Sequence, residues 1–160
     1  MRHRTYLFAC LLTAGLSACG GSAPPPPASS GTSNTAAEAV SRIGDVTIRA
    51  NAMPTASLGA QVAAQYGIAR DDSTVMLLVG VRQGSDAQET ALPAQVTATA
   101  TDLRGRRHEI AMRELRSGDL LDYVGTVDVS PPETLRFEVT IVREGGATST
   151  MQFSRDFYPR

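Results

Sequence analysis

A two-residue alternation of apolar and polar side chains, repeated in short runs between residues 46 and 157, constrains this chain more than any other feature. Successive side chains of a strand point to opposite faces, so a run of that period can bury one face only as β structure. Val46, Ile48 and Ala50 share one face, with Thr47 and Arg49 on the other. Val96, Ala98 and Ala100 alternate with Thr97, Thr99 and Thr101, and His108, Ile110 and Met112 alternate with Arg107, Glu109 and Arg113. Leu121, Tyr123, Gly125, Val127 and Val129 form a further face, as do Leu135, Phe137, Val139 and Ile141; Met151, Phe153 and Phe157 mark a last strand. Residues 74–81 are apolar on both faces, as a central strand requires. Between these runs, Gly105 within Asp102–Arg106 and the pair Gly145-Gly146 suit hairpins, while Ser130-Pro131-Pro132 breaks a strand. One helical stretch intervenes: Leu58, Val62 and Tyr66 fall at i, i+4 and i+8, with Ser57 as N-cap and Gly67 as C-cap. The pattern predicts a mainly all-β fold, an antiparallel immunoglobulin-like β-sandwich of about seven strands with one short helix. The Cys…Trp…Cys signature of antibody domains is missing, so the expectation concerns architecture alone.

The first 42 of the 160 residues lack this pattern, which leaves about 118 for a domain. A domain of that size buries roughly two thirds of its unfolded surface and needs neither metal nor disulfide for stability. Aromatic content is 5% and Trp is absent, so the core rests on Val, Leu, Ile, Met and Ala. The formal net charge is −1, and Lys does not occur. A basic excess of the kind nucleic-acid binding leaves is absent.

The N-terminus reads as an address and an anchor. Arg2 and Arg4 give a positive start, and Tyr6–Leu16 is an apolar stretch of 11 residues, too short to span a bilayer as a helix. Leu16-Ser17-Ala18-Cys19 closes it and resembles the lipobox of bacterial lipoproteins, in which the thiol receives a diacylglycerol and the signal is cleaved before the cysteine. That resemblance implies a signal peptide over 1–18 and lipidation at Cys19. More than one acyl chain is needed for stable anchoring. Gly20 follows the cysteine where an aspartate would favour inner-membrane retention, so the analogy implies an outer-membrane anchor facing the periplasm, the inner membrane's periplasmic face being the alternative. Cleavage would leave 13 basic against 16 acidic residues. The two cysteines are Cys10 and Cys19, so the mature domain would hold no disulfide and no catalytic thiol. Residues 19–42 are expected to be a Pro-, Ser- and Gly-rich tether with a reach of about 25–30 Å, with a turn of helix over Ala36–Val40, and residues 43–160 the β-sandwich domain.

Further residues carry a family resemblance. Tyr66-Gly67-Ile68, Leu92-Pro93-Ala94-Gln95-Val96, Leu103-Arg104-Gly105, Arg113-Glu114-Leu115, Glu133-Thr134-Leu135-Arg136-Phe137 and Phe157-Tyr158-Pro159 resemble, in order and spacing, a family of small exported proteins of Gram-negative bacteria, domain of unknown function 4426. The resemblance covers about residues 43–160 and implies a fold and a compartment, with no catalytic residue to carry over.

Candidate chemistry is sparse. His108 is the one histidine after the signal, and a His-based zinc site needs more ligands. No nucleophile elbow occurs. His108 therefore reads as a packing residue at a strand end. Asp71-Asp72 lacks the ligand spacing of a calcium loop. Arg104, Arg106 and Arg107 cluster at a hairpin tip, with Arg113 and Arg116 further on, and together could receive an anionic group unless the hairpin is simply solvated. Tyr66, Tyr123 and Tyr158 could line a pocket or pack at sheet edges. The expectation is a membrane-anchored periplasmic lipoprotein without catalytic residue, metal or cofactor, acting as a protein-binding module at the cell envelope. Its possible partner-binding residues are Arg104, Arg106, Arg107 and Tyr66. The alternative is a small-ligand or lipid-binding protein using a cleft in the sandwich; an enzyme of unrecognised type is the third reading.

Overall fold

The structure, a computed structural model, describes residues 38–85 and 88–159. Cys19, the signal and the tether's residues 19–37 lie outside the described residues. Among the described residues ten strands form two antiparallel sheets, so the fold is an all-β sandwich. The strands are β1 (Ala39–Ile43), β2 (Val46–Pro54), β3 (Thr74–Gln83), β4 (Thr90–Ala91), β5 (Ala94–Asp102), β6 (Arg107–Ile110), β7 (Arg113–Ser117), β8 (Leu120–Asp128), β9 (Glu133–Arg143) and β10 (Thr148–Phe157). The first sheet runs β1-β2-β3-β8-β7 with β4 added to β3, and the second runs β10-β9-β5-β6.

The alternating runs face each other across the core. Ile48, Ala50, Leu77, Val79 and Tyr123 of the first sheet pack with Ala100, Phe137, Val139 and Ile141 of the second, all between 0% and 3% exposed. β3 lies between β2 and β8 and is apolar on both faces for a second reason. Its outward Met76 and Leu78 meet a smaller cluster with Leu58, Ala63, Tyr66, Ile68, Val124 and Leu115. The short helix α1 (Ala60–Tyr66) supplies that cover.

Four expectations are corrected. The strand count among the described residues is ten, because β1, β4 and β7 carry too little pattern to be seen alone. Ala39 and Val40 open β1, paired with Ala50 and Arg49, where a turn of helix and a tether ending at residue 42 were expected. Helix α1 is capped by Gly59, not Ser57, which sits in a preceding 3-10 turn; Val62 is 39% exposed, and Ala63 is the buried helix residue. The C-cap is as expected, with Gly67 left-handed at φ 61° and its N–H donating to the Ala63 and Ala64 carbonyls. Finally, His108 and Ile110 do not continue into Arg113. The chain leaves the second sheet after Ile110, crosses through Ala111 and Met112, and joins the first sheet as β7.

Gly125 permits that crossover. A Cβ there would lie 2.6 Å from Ile110 Cγ2, 2.8 Å from the Ala111 carbonyl oxygen and 2.9 Å from Met112 Sδ. The crossing backbone thus rests on β8 at the one position of that face without a side chain.

Candidate functional site

Antiparallel pairing brings three connections to one end of the sandwich. Asp102 pairs with Leu135, Phe157 with Glu133, and β8 ends at Asp128 before turning into β9. The β5–β6 hairpin, the Ser130–Pro132 loop and the segment after β10 are therefore neighbours. The hairpin tip carries the candidate site.

Asp102 builds the tip. Its Oδ1 accepts the backbone N–H of Arg104 at 2.9 Å and of Arg106 at 2.8 Å, and its Oδ2 accepts Arg106 Nε at 2.6 Å. An aspartate opening a tight loop is suited to such local bonds. Gly105, at φ 82°, supplies the left-handed residue the turn needs. Burial of the Asp102 side chain opposes its ionisation most strongly. The Arg106 backbone N–H, the Arg106 guanidinium and the Arg104 backbone N–H together outweigh that and hold the carboxyl below the usual carboxylate range.

With the backbone so fixed, Leu103 is 82% exposed, more than any other large apolar residue described. Two surface grooves flank it. One, of about 400 Å³, is lined by Leu103, Arg104, Arg106, Pro132, Glu133 and Thr134. The other, of about 380 Å³, lies over Leu103, Gly105, Thr134, Arg136 and Ser154. Glu133 is engaged in its own loop, accepting the Ser130 N–H at 2.8 Å. The guanidinium of Arg104 has no partner among the described residues, and the Arg106 side chain is 60% exposed despite its bond to Asp102. The tip is therefore an ordered apolar point between cations, suited to a surface that offers an apolar recess and carboxylates.

The structure separates the other expected members. Arg107 opens β6 and turns to the outer face of the second sheet, 3.3 Å from Glu138 in an exposed pair. Arg113 and Arg116 lie in the first sheet, so the five arginines do not form one anion site. The Arg113 guanidinium donates to the Tyr66 carbonyl, and Arg116 pairs with Glu114 at 2.9 Å. Tyr66 is half-buried in the cluster beneath α1, which includes no residue of the hairpin. The three tyrosines do not line one pocket. Tyr123 is in the core, its hydroxyl accepting the Ala94 N–H at 2.8 Å, while Tyr158 is 69% exposed. His108 is half-buried on the inward side of β6, beside Ala100. Asp71 has a structural role: its backbone N–H and carbonyl both bond the hydroxyl of buried Thr55, and its carboxylate accepts from Ser73, which lowers its pKa. Among the described residues no three His, Cys, Asp or Glu side chains gather as a metal site.

Sequence reasoning placed Leu103 in the Asp102–Arg106 hairpin but named only the arginines beside it as binding residues, because an apolar residue in a turn carries no charge to single it out. The signal available was parity. Asp102 continues the inward-facing set of Ala98 and Ala100, so Leu103 falls after the strand, in the loop.

The sequence profile of a domain of unknown function, DUF4426, matches residues 40–160. A crystal structure of a DUF4426 family protein from Pseudomonas aeruginosa PAO1 is similar at 24% identity and a TM-score of 0.66, over 77% of this chain and 96% of that one. That likeness is one of fold. Two structures of FetP from uropathogenic Escherichia coli strain F11, one as isolated after expression in the periplasm and one a copper-bound variant, align at 10% and 9% identity. Their TM-scores are 0.47 and 0.46, over 74% of this chain in each case and 91% and 92% of theirs. The curated proteins give no match to the chain.

Proposed function

We propose a contact role for this chain, which belongs to the DUF4426 family of domains of unknown function. It is a non-enzymatic protein-binding module, lipid-anchored through Cys19 and held in the periplasm by its tether, at the outer membrane in preference to the inner. The observation that carries this reading is the hairpin tip, where Asp102 orders the backbone around a solvent-facing Leu103 and the cations Arg104 and Arg106. A loop ordered before its partner arrives loses less conformational entropy on binding. Tethering supports the same reading, since a short flexible linker raises the local concentration of a neighbouring surface to about the millimolar range. The partner is a protein surface with an apolar recess edged by carboxylates. The inner faces of the sandwich are filled by their own side chains, so the geometry favours this surface over a ligand cleft between the sheets.

The test is crosslinking in cells from a photoreactive residue at Leu103, compared with one at exposed Glu144 in the turn at the opposite end of β9. A discrete crosslinked species from position 103, absent from position 144 and lost on deletion of residues 23–35, is the expected result. Equal crosslinking from both positions, or none from 103, removes the contact reading.

A further inference from the structure

The first sheet carries a second feature, separate from the hairpin tip. β7 pairs with β8 only from Arg113 opposite Val124 to Ser117 opposite Leu120. On its other side β8 is paired with β3 as far as Asp128. The stretch Gly125–Asp128 therefore has a ladder on one edge and none on the other. Where β7 would have continued, the chain has turned away through Ala111 and Met112 toward the second sheet.

The parity of the ladder shows what that edge presents. Val129 N–H donates to the Ser73 carbonyl at 2.8 Å, on the β3 side. Main-chain groups alternate sides along a strand of an antiparallel sheet. Thr126 and Asp128 thus direct their N–H and C=O away from β3, toward the missing strand. Both residues are exposed, and no backbone partner is seen for these groups among the described residues.

A groove of about 340 Å³ lies on the outward face of the sheet beside this edge, with Thr74, Val124 and Thr126 in its floor. The loop Gly67–Ala69 forms one wall, with Ile68 offering an apolar contact, and Ala111 with Arg113 closes the end nearest β7. The ends differ in charge. Arg113 is exposed, and its guanidinium, which donates to the Tyr66 carbonyl, has further N–H donors to offer; the carboxylate of Asp128 is at the other end.

We propose that this edge is a strand-addition site for a short extended segment of a partner protein, lying in line with β7 and antiparallel to β8, with a basic residue toward Asp128 and an acidic one toward Arg113. Thr126 and Asp128 are two residues apart, roughly 7 Å along a strand, and each offers one donor and one acceptor. Main-chain bonds provide the attachment, while the oppositely charged ends set its direction. The gap is short and closed by Ala111, which limits it to a few residues and blocks pairing along a whole sheet edge. The inference rests on the contact reading and adds a second surface with its own recognition chemistry.

The test uses hydrogen exchange of the full-length protein in detergent micelles with two five-residue probes, capped at both ends. One runs lysine-threonine-valine-threonine-glutamate; the other exchanges the two charged ends. At a concentration ten times its half-saturation point, the first probe should slow exchange of the Thr126 and Asp128 amides about tenfold. The reversed probe should require several-fold more peptide. Exchanging the charges of the site, Arg113→Glu with Asp128→Lys, should invert that preference. Thr126→Pro removes the N–H that faces the gap, together with the exposed threonine side chain, and leaves the N–H donors of the β3 ladder in place; it should abolish the slowing at Asp128. No slowing by either probe overturns the proposal, as does a preference that survives the charge exchange. Slowing that appears without probe as protein concentration rises overturns it in favour of a second copy of this chain. None of these outcomes touches the crosslink from Leu103, so failure of this site is distinguishable from failure of the contact reading.

Discussion

Gly125→Ala adds one methyl group to β8, and the structure sets its consequence. The new carbon would sit 2.6 Å from Ile110 Cγ2, 2.8 Å from the Ala111 carbonyl oxygen and 2.9 Å from Met112 Sδ. The Ile110 and Met112 side chains can rotate, but the Ala111 oxygen belongs to the backbone that crosses between the sheets, so relief requires moving the crossover. Overpacking of this kind costs about 1–3 kcal/mol. Against it stands the ordinary advantage of alanine over glycine within a strand, about 0.5–1 kcal/mol. The steric term wins, and the net loss should be about 1–2 kcal/mol, or roughly 5–10 °C in melting temperature for a domain near this size. Gly59→Ala is the control, because a Cβ at that position would meet no atom within 4 Å and its φ is −61°; alanine caps a helix less well than glycine, but the lower entropy of its unfolded chain offsets that by about 0.4–1 kcal/mol, so the net change should stay below about 1 kcal/mol. Urea unfolding followed by circular dichroism reads both, with an unchanged slope showing that the transition itself is the same. A Gly125→Ala protein as stable as the wild type, or a Gly59→Ala protein equally weakened, would refute the steric argument.

Phe137 is fully buried and stacked on Phe153 with ring centroids 5.1 Å apart, so Phe137→Ala should cost about 3–5 kcal/mol in the same assay, while exposed Arg136→Ala should change little. Asp102 has a folded pKa below its ordinary value, so its contribution to stability is complete above about pH 4 and is lost as pH falls through the folded value; an acid titration should show wild type losing stability more steeply below pH 4 than Asp102→Asn. A fragment starting at residue 38 should unfold at higher urea than one starting at residue 43, since the shorter one lacks the pairing of Ala39–Arg42 with Thr47–Ala50. Cys19→Ser should move the protein from the membrane to the soluble fraction, and mass spectrometry of the wild-type N-terminus should find an acylated Cys19; an unmodified N-terminus elsewhere would end the lipoprotein proposal.

The faces of the sandwich were legible in the sequence because each core strand carries its own alternating run, and that period survives whatever partner the strand finds. Which sheet a strand joins was not legible. Ile110 and Met112 continue an unbroken alternation into Arg113, yet the chain changes sheets between them, because the accommodating feature is Gly125, distant in sequence and recognisable only once β6, β7 and β8 are together. The same two-residue period explains the fate of the arginine cluster. Arg106 and Arg107 are adjacent in sequence, but the first bonds Asp102 in the turn and the second, one residue into β6, faces Glu138 across the outer surface. Adjacent charges in a helical or disordered segment can act together; at the mouth of a β-hairpin, parity sends them to different surfaces. Candidate binding residues in such a chain are therefore found by asking which loop residue falls just outside the strand's parity, and here that residue is Leu103.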